Sequence, residues 1–299
     1  MFYEIIINRE SGSGIFREAE NVAKLEGIFS EAGHDTKVTV VAPEELENVL
    51  KVAASSDSGA IIIGGGDGSV TTAARFLKDT GKPLGVLPLG TFNLEARDLN
   101  IPLDPFAAAE KLVDADIVDI DLLSVGNELC LCAMVIGFYP ALAKSREDFH
   151  GKSWWKKTIR VIHEVATVAI KSPALELETS GHKEVIQQKT RLAAFSPGSY
   201  EENIGTLPAR EDLSSGLLTA YVSAHLSRSQ MLKAAFKFMT GTLLETEKMI
   251  QAEAEKIIIK VGSKRTIPAM IDGEIIQIKL PCELRILPKA LRVLRPKKT

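Results

Sequence analysis

Short runs of β-branched residues alternate with segments of helical spacing from Met1 to about Ile120. Each run is apolar and is bounded by polar or turn-forming residues, as expected of a buried strand. The predicted strands are Glu4 to Ile7, Lys37 to Val41, Ala60 to Ile63 and Leu84 to Leu87. This alternation predicts a parallel sheet flanked by helices.

The intervening segments have the spacing of amphipathic helices. In the first of them, the residues predicted to share the buried side are Ala19, Val22, Ala23, Phe29 and Ala32. Its pattern stops at Gly33, a typical helix end. Pro43 predicts the start of a second helix, and Asp104 with Pro105 predicts the N-cap and first turn of another that runs to about Val113.

Beyond Asp121 the pattern changes to strands joined by turns. Leu122 to Val125, the Gly126-Asn127 turn and Glu128 to Gly137 predict a hairpin. Further strands are predicted at Leu175 to Thr179, Thr190 to Phe195, Leu217 to Ser223, Lys256 to Val261 and Ile275 to Leu280. Helical patterns cover Trp154 to Ile170 and Ser229 to Thr240. We therefore predict an α/β domain over residues 1–122 and a mostly antiparallel β domain over residues 123–299.

Composition narrows the class of protein. Hydrophobic residues make up 45% of the chain and charged residues 25%, which excludes disordered and collagen-like chains. The net charge of −3 gives no overall attraction to nucleic acid, so no nucleic-acid partner is expected. Three cysteines without a CxxC pair favour a reducing compartment, and the apolar start fits a first strand, so we expect a cytoplasmic protein without a transmembrane helix.

The segment with the most chemical information runs from Gly64 through Asp67 to Ser69, with glycine at 64, 65, 66 and 68. It follows the third predicted strand and precedes a helix that Ser69 is predicted to start. Glycines let the backbone approach a phosphate, and a helix N-terminus directs N–H groups at it. Asp67 would repel the anion unless a cation intervenes, so Mg²⁺ bound to nucleotide phosphates is one explanation. The alternative is a strained turn in which Asp67 is a local cap.

Two motifs together carry a resemblance to a known family. GGGDGSV, followed by the segment from Leu87 to Pro102 (LPLGTFNLEARDLNIP), resembles the paired motifs of the diacylglycerol kinase catalytic-domain family, which includes bacterial lipid kinases and sphingosine kinases. GGDG alone is shared with NAD kinases, and the second motif separates the two groups. Ile271-Asp-Gly-Glu274 and the segment from Ile286 to Pro296 resemble the DGE motif and the closing strand of the family.

The resemblance implies an NAD-kinase-like, nucleotide-binding α/β domain over residues 1–122 and a β-sandwich acceptor domain over residues 123–299. It leaves open whether the last strand returns to the first domain. It also implies an ATP- and Mg²⁺-dependent kinase that transfers the γ-phosphoryl group to a lipid hydroxyl, of diacylglycerol or a related lipid, at a membrane surface. The alternatives are an NAD kinase and a catalytically weak nucleotide- or lipid-binding regulator. The oligomeric state is not predicted.

By position in the motifs, the resemblance assigns nucleotide binding to Asn8, Ser11, Gly12, Thr39, Gly65, Gly66, Asp67, Gly68, Ser69, Thr91 and Asn93. Asp67 is also the predicted metal ligand and, with Asp272 and Glu274, a catalytic candidate. We favour Glu274 as the general base and Asp272 as the residue that organises metal or acceptor, and their order is left open.

The sequence also departs from the family pattern. Thr71 and Thr72 stand where relatives commonly have Asn and Glu, so acceptor choice is expected to differ. Ser214 and Ser215 replace an acidic pair that holds a structural Mg²⁺ in some bacterial relatives, so that second metal site is not expected. The segment from Lys152 to Arg160 contains both tryptophans and four cations, which fits membrane-surface contact and core packing with a solvated basic edge equally well.

Overall fold

The chain folds into two compact units. The computed structural model describes residues 1–137, 175–180, 186–200, 210, 212–223 and 249–297. The first unit contains Met1–Leu122 and Leu287–Thr299, and the second contains Leu123–Ile286. The first unit is therefore assembled from both ends of the chain.

A parallel sheet forms the centre of the first unit. Its first strands are β1 (Phe2–Asn8), β2 (Asp35–Val41), β3 (Ala60–Gly65) and β4 (Leu84–Pro88). They lie in the order β2-β1-β3-β4, and each neighbouring pair is parallel. The isoleucines of β1 and β3 are at most 2% exposed, because helices and strands cover both faces of a parallel sheet. The four predicted strands are confirmed.

The helices of this unit are α1 (Ala19–Glu31), α2 (Leu46–Ala54), α3 (Asp67–Leu77), α4 (Leu94–Asp98) and α5 (Pro105–Val113). Short 3-10 helices, Gly12–Arg17 and Pro43–Glu45, lead into α1 and α2. The start of α5 is as predicted. Asp104 Oδ1 accepts the N–H groups of Phe106 at 3.1 Å and Ala107 at 2.9 Å, and Pro105 occupies the first helical position.

Two details of the helix predictions were wrong. α1 buries Phe29, as predicted, together with Leu25, whereas the alanines at 19, 23 and 32 are exposed. Two large side chains one turn apart bury more apolar area than alanines do, so they determine the buried side. α3 begins at Asp67 rather than at Ser69. Gly66, in an extended conformation, is its N-cap, and Ser69 is buried within the first turn of the helix.

The remaining strands are β5 (Asp116–Val125), β6 (Glu128–Cys130), β7 (Met134–Gly137), β8 (Leu175–Ser180), β9 (Ile186–Thr190), β10 (Leu192–Pro197), β11 (Leu218–Ser223), β12 (Met249–Ala254), β13 (Lys256–Val261), β14 (Thr266–Ile271), β15 (Glu274–Lys279) and β16 (Cys282–Arg295). In the second unit, six strands form a sheet in the order β12-β11-β10-β7-β14-β15, with antiparallel pairings throughout. The other layer contains β9, β8, β13 and the start of β16, together with the β5–β6 hairpin.

The inner faces of these two layers share one apolar core. Phe195 of β10, Ile259 of β13 and Leu284 of β16 are fully buried in the same cluster. The second unit is therefore an antiparallel β-sandwich, which confirms the predicted fold class. The predicted hairpin is also confirmed, although its second arm is interrupted between Cys130 and Met134.

Some sequence predictions concern residues outside those that the structure describes. These are the helical patterns at Trp154 to Ile170 and Ser229 to Thr240, and the basic segment from Lys152 to Arg160. Among the described residues, no helix combines the length and apolar character that crossing a membrane requires.

Strand β16 passes from the second unit into the first. Its first residues, from Cys282 to Arg285, pair antiparallel with β13. After Leu287 the chain belongs to the first unit, where Val293 lies parallel to Leu84 of β4. The buried carboxylate of Asp121 accepts the N–H group of Lys289 at 2.7 Å. The C-terminal residues thus complete the sheet of the first unit.

Asp104→Ala is expected to lower the free energy of unfolding by about 1 kcal/mol, because two N–H groups at the start of α5 lose their acceptor. Urea unfolding followed by circular dichroism measures the change. Glu110→Ala, at an exposed position of the same helix, is the control and should change the value by less than about 0.5 kcal/mol. Equal effects of the two substitutions would contradict the capping role.

Candidate functional site

Three loops leave the carboxyl edge of the parallel sheet in the first unit. We call them the first loop (residues 8–14, after β1), the glycine loop (residues 64–69, after β3) and the second loop (residues 89–93, after β4). In open α/β sheets, ligands bind outside the carboxyl ends of the strands. Most of the residues predicted to bind nucleotide lie in these loops.

The glycine loop and the second loop approach each other backbone to backbone. A Cβ atom on Gly90 would lie 2.6 Å from the Cα of Gly66, and one on Gly65 would lie 2.4 Å from the Cβ of Ser69. Neither position has room for a side chain. The Leu89 N–H group also donates to the carbonyl oxygen of Gly65 at 3.0 Å. The two loops therefore form one continuous backbone surface.

The N-terminus of α3 begins at this surface. Its N-cap is Gly66, and the first-turn N–H groups of this 11-residue helix carry a partial positive charge. The first loop is joined to it, since Asn8 Nδ2 donates to Ser69 Oγ at 3.1 Å. The Gly12 N–H group donates to the carbonyl oxygen of Leu89 at 2.9 Å, which links the first and second loops. This arrangement has the chemistry of an anion site.

The carboxylate of Asp67 connects the glycine loop to the second loop. Oδ2 accepts the N–H group of Asn93 at 3.1 Å, and Oδ1 accepts the N–H group of Leu94 at 2.7 Å. Asn93 is in the left-handed conformation, with φ at 50°, and its side chain binds Gly90 twice. Its Oδ1 accepts the Gly90 N–H group at 2.8 Å, and its Nδ2 donates to the Gly90 carbonyl oxygen at 2.9 Å. Asp67 and Asn93 thus fix the shape of the second loop.

These contacts test whether Asp67 fits a directly bound metal ion. A Mg²⁺ ligand must direct a carboxylate oxygen at the ion in nearly ideal octahedral geometry. Both oxygens of Asp67 are instead directed at backbone N–H groups of residues 93 and 94. A Mg²⁺ ion bound by Asp67 would have to share an oxygen that already accepts a backbone N–H group, and we assign Mg²⁺ no protein ligand.

The other predicted residues are less closely connected. Thr91 is exposed in the second loop, and the Ser11 N–H group donates to the Asn8 carbonyl oxygen at 3.1 Å within the first loop. Thr39 lies on β2 opposite Ile6, and β1 separates it from the strand that leads into the glycine loop. The structure therefore brings the three loops together and leaves Thr39 one strand away.

In the second unit, Asp272 and Glu274 flank the turn between β14 and β15 in different environments. Asp272 is 4% exposed and adopts the left-handed conformation, with φ at 47°. Glu274, the first residue of β15, is exposed. Two acidic residues of one motif therefore have separate physical roles.

The Asp272 carboxylate holds the chain where the predicted strand is interrupted. It accepts backbone N–H groups from three consecutive residues, Leu131 at 2.8 Å, Cys132 at 2.8 Å and Ala133 at 3.2 Å. The thiol of Cys130 also donates to it, at 3.4 Å. Burial and the charge of Asp272 raise the pKa of Cys130 well above its ordinary value, so this thiol stays protonated and remains a donor.

Sequence analysis missed the donors to both aspartates. They are the backbone N–H groups of residues 93 and 94 and of residues 131–133. A backbone N–H group has no residue-type signal in a sequence. The one available signal is glycine after each aspartate, at Asp67-Gly68 and Asp272-Gly273, which is typical of turns where the side chain binds backbone.

A parallel α/β unit with a glycine loop, followed by an antiparallel β-sandwich, defines the NAD-kinase-like class of folds. The family model described as "Diacylglycerol kinase catalytic domain" matches residues 3–125. The model described as "YegS C-terminal NAD kinase beta sandwich-like domain" matches residues 168–295. The chain belongs to the diacylglycerol kinase family of lipid kinases.

Individual relatives agree over most of the chain. A diacylglycerol kinase of Mycobacterium tuberculosis is 26% identical over 262 residues, which covers 85% of this chain and 82% of that protein. A diacylglycerol kinase of Bacillus subtilis is 23% identical over 302 residues, which covers 98% of this chain and 96% of that protein. A crystal structure of a diacylglycerol kinase from Bacillus anthracis str. Sterne matches with a TM-score of 0.71 at 17% identity. The match covers 98% of this chain and 96% of the chain in that structure. The match to that structure therefore extends over 98% of this chain.

Asp272→Asn is expected to lower the free energy of unfolding by about 3 kcal/mol, because its new NH₂ group would face backbone N–H donors at a buried site. Glu274→Gln, the matched change at the exposed end of the turn, should alter it by less than about 0.5 kcal/mol. Urea unfolding of both variants measures the difference. A loss as small for Asp272→Asn as for Glu274→Gln would contradict the anchoring role.

Proposed function

We propose that this chain transfers the γ-phosphoryl group of ATP to the hydroxyl group of a membrane lipid, diacylglycerol or a related lipid alcohol. The observation that carries the proposal is the convergence of three loops at the N-terminus of α3. Family membership and the names of the relatives support a lipid as the acceptor.

ATP fits this site through its phosphate groups. The N–H groups of the glycine loop and of the first turn of α3 would donate to phosphate oxygens, and the Asn8–Ser69 pair would border them. The residues proposed to line the nucleotide are Asn8, Ser11, Gly12, Gly65, Gly66, Gly68, Ser69, Thr91 and Asn93. Thr39 is proposed as a further nucleotide contact on the resemblance alone.

Mg²⁺ is part of the proposal as the partner of the ATP phosphates, whose negative charge it would neutralise. Asp67 is not proposed as its direct ligand, because both of its oxygens accept backbone N–H groups. The phosphate oxygens of ATP and water molecules would supply the oxygen ligands that Mg²⁺ prefers.

Glu274 is the proposed general base. The carboxylate of its neighbour Asp272 is buried and accepts three backbone N–H groups, whereas Glu274 is exposed. In the proposed step, the lipid oxygen forms a bond to the γ-phosphorus while the bond from that phosphorus to the ADP oxygen breaks. The hydroxyl proton passes to Glu274 and then to solvent.

The acceptor determines where the protein is proposed to work. A lipid hydroxyl lies in a bilayer interface, so we propose peripheral attachment to a membrane surface from the cytoplasm. Cys130, Cys132 and Cys282 are buried and form no disulfide bond, which supports a reducing compartment.

Incubation with γ-labelled ATP, Mg²⁺ and a total lipid extract is expected to give a labelled lipid, because a lipid hydroxyl is the proposed acceptor. Mass spectrometry of the labelled product identifies that acceptor. A parallel reaction with NAD in place of lipid, and reactions without protein, are the controls. Labelled NAD would favour an NAD kinase, and ATP binding without any labelled product would favour a regulator; either result contradicts the proposal.

Glu274→Gln is expected to lower kcat about 100-fold while leaving the Kd for ATP unchanged, because the base acts in transfer and not in nucleotide binding. Steady-state kinetics and calorimetric ATP titration measure the two values. Glu253→Gln, at an exposed position of β12, is the control and should retain the wild-type rate. A full rate in Glu274→Gln would exclude Glu274 as the base.

A further inference from the structure

We propose that Asp67 is a positioning residue, which holds the second loop in its nucleotide-binding shape through two backbone hydrogen bonds instead of binding the metal ion. The identity of the ligand, ATP, rests on the proposed function. The positioning role itself rests on contacts within the first unit.

The first argument is the capping of α4. Its N-cap residue, Asn93, belongs to a type that normally accepts the first N–H groups of its own helix. Asn93 makes no such bond, because its side chain is bound to Gly90. Asp67, 27 residues away in sequence, instead accepts the N–H group of Leu94, the first residue of α4, at 2.7 Å. Charge-assisted bonds of this kind are about twice as strong as neutral ones.

The second argument is the conformation of Asn93. Its φ of 50° is left-handed, a conformation that few residues other than glycine adopt and that asparagine tolerates. The Asn93 N–H group is held by Asp67 Oδ2 at 3.1 Å. Without this bond the second loop loses an attachment at the residue that determines its direction.

The third argument is the contact between the two loops. Gly66 and Gly90 are so close that a Cβ on Gly90 would lie 2.6 Å from the Gly66 Cα. Asp67 directly follows Gly66, so its carboxylate connects the loops beside their point of contact. Any displacement of the second loop would therefore change the surface that faces the phosphates.

The same contacts explain a carboxylate beside an anion site. Asp67 lies in the first turn of α3, where the partial positive charge of the helix stabilises an acid. Two backbone N–H groups solvate it further. Its charge is thus stabilised by the protein itself, and a bound cation is not needed to keep it there.

The first test is hydrogen exchange of the nucleotide-free protein, measured by mass spectrometry. Exchange of residues 90–98 is expected to be faster in Asp67→Asn, which keeps one acceptor oxygen, and faster still in Asp67→Ala, which keeps none. The matched control is Asp104→Ala, which removes a carboxylate cap from α5 and should speed exchange only at the start of that helix. Wild-type exchange of residues 90–98 in both Asp67 variants would overturn the proposal.

The second test is calorimetric binding of ATP with Mg²⁺, and of ATP in excess EDTA. If Asp67 positions the loop, Asp67→Asn raises the Kd for ATP with Mg²⁺ and the Kd for metal-free ATP by the same factor, about tenfold. Asp104→Ala should bind both forms as the wild type does. If Asp67 is a metal ligand, the variant loses affinity only for ATP with Mg²⁺. Metal-free ATP then binds equally well, or more tightly because a negative charge has been removed. That result would overturn the proposal.

The two tests also separate this inference from the proposed function. Absence of any labelled lipid would contradict the kinase proposal while leaving the exchange test valid, since that test needs neither nucleotide nor lipid. Asp67→Asn is the milder variant, so its exchange pattern decides the question where Asp67→Ala does not fold.

Discussion

Hydrogen bonds from backbone N–H groups to aspartate carboxylates hold the loops of both units in place. Asp67 joins two loops of the first unit, Asp104 starts α5, Asp121 holds the returning C-terminal strand, and Asp272 holds residues 131–133. The donors at Leu94, Phe106 and Ala107 lie in the first turn of a helix, where N–H groups have no partner within the helix. A carboxylate can accept several of them at once, so one side chain fixes a length of irregular chain.

The sequence was sufficient for the parts of the fold that repeat regularly. The strands of the first sheet were predictable because their isoleucines are buried on both faces, and α5 because Asp104 and Pro105 mark a helix start locally. β14 was missed because Pro268 argues against a strand. The proline is tolerated because β7 pairs only with residues 269–271 of β14, so Pro268 has a single strand neighbour, β15. On α1 the burial of Phe29 was predicted, but Leu25 was missed and three alanines were wrongly placed on the buried side, because the larger side chain buries more apolar area.

For the candidate site, residue types predicted the anion-binding loop but not what Asp67 contacts. The sequence left two explanations open, a cation beside the phosphates and a capping carboxylate. The observed bonds are those of a cap, although the capped helix begins 27 residues further along the chain rather than at Asp67 itself. The DGE turn shows the same limit, since only tertiary packing distinguishes buried Asp272 from exposed Glu274.

The path of β16 also constrains the order in which the protein can be completed during synthesis. β4 finds its parallel neighbour at Val293, so the first sheet stays open at that edge until residues 287–299 have left the ribosome. The whole second unit has been synthesised by then. A chain released early would carry the glycine loop on a sheet with an unprotected edge, and such edges recruit strands from other chains. Premature termination should therefore yield aggregating fragments rather than a free-standing N-terminal domain.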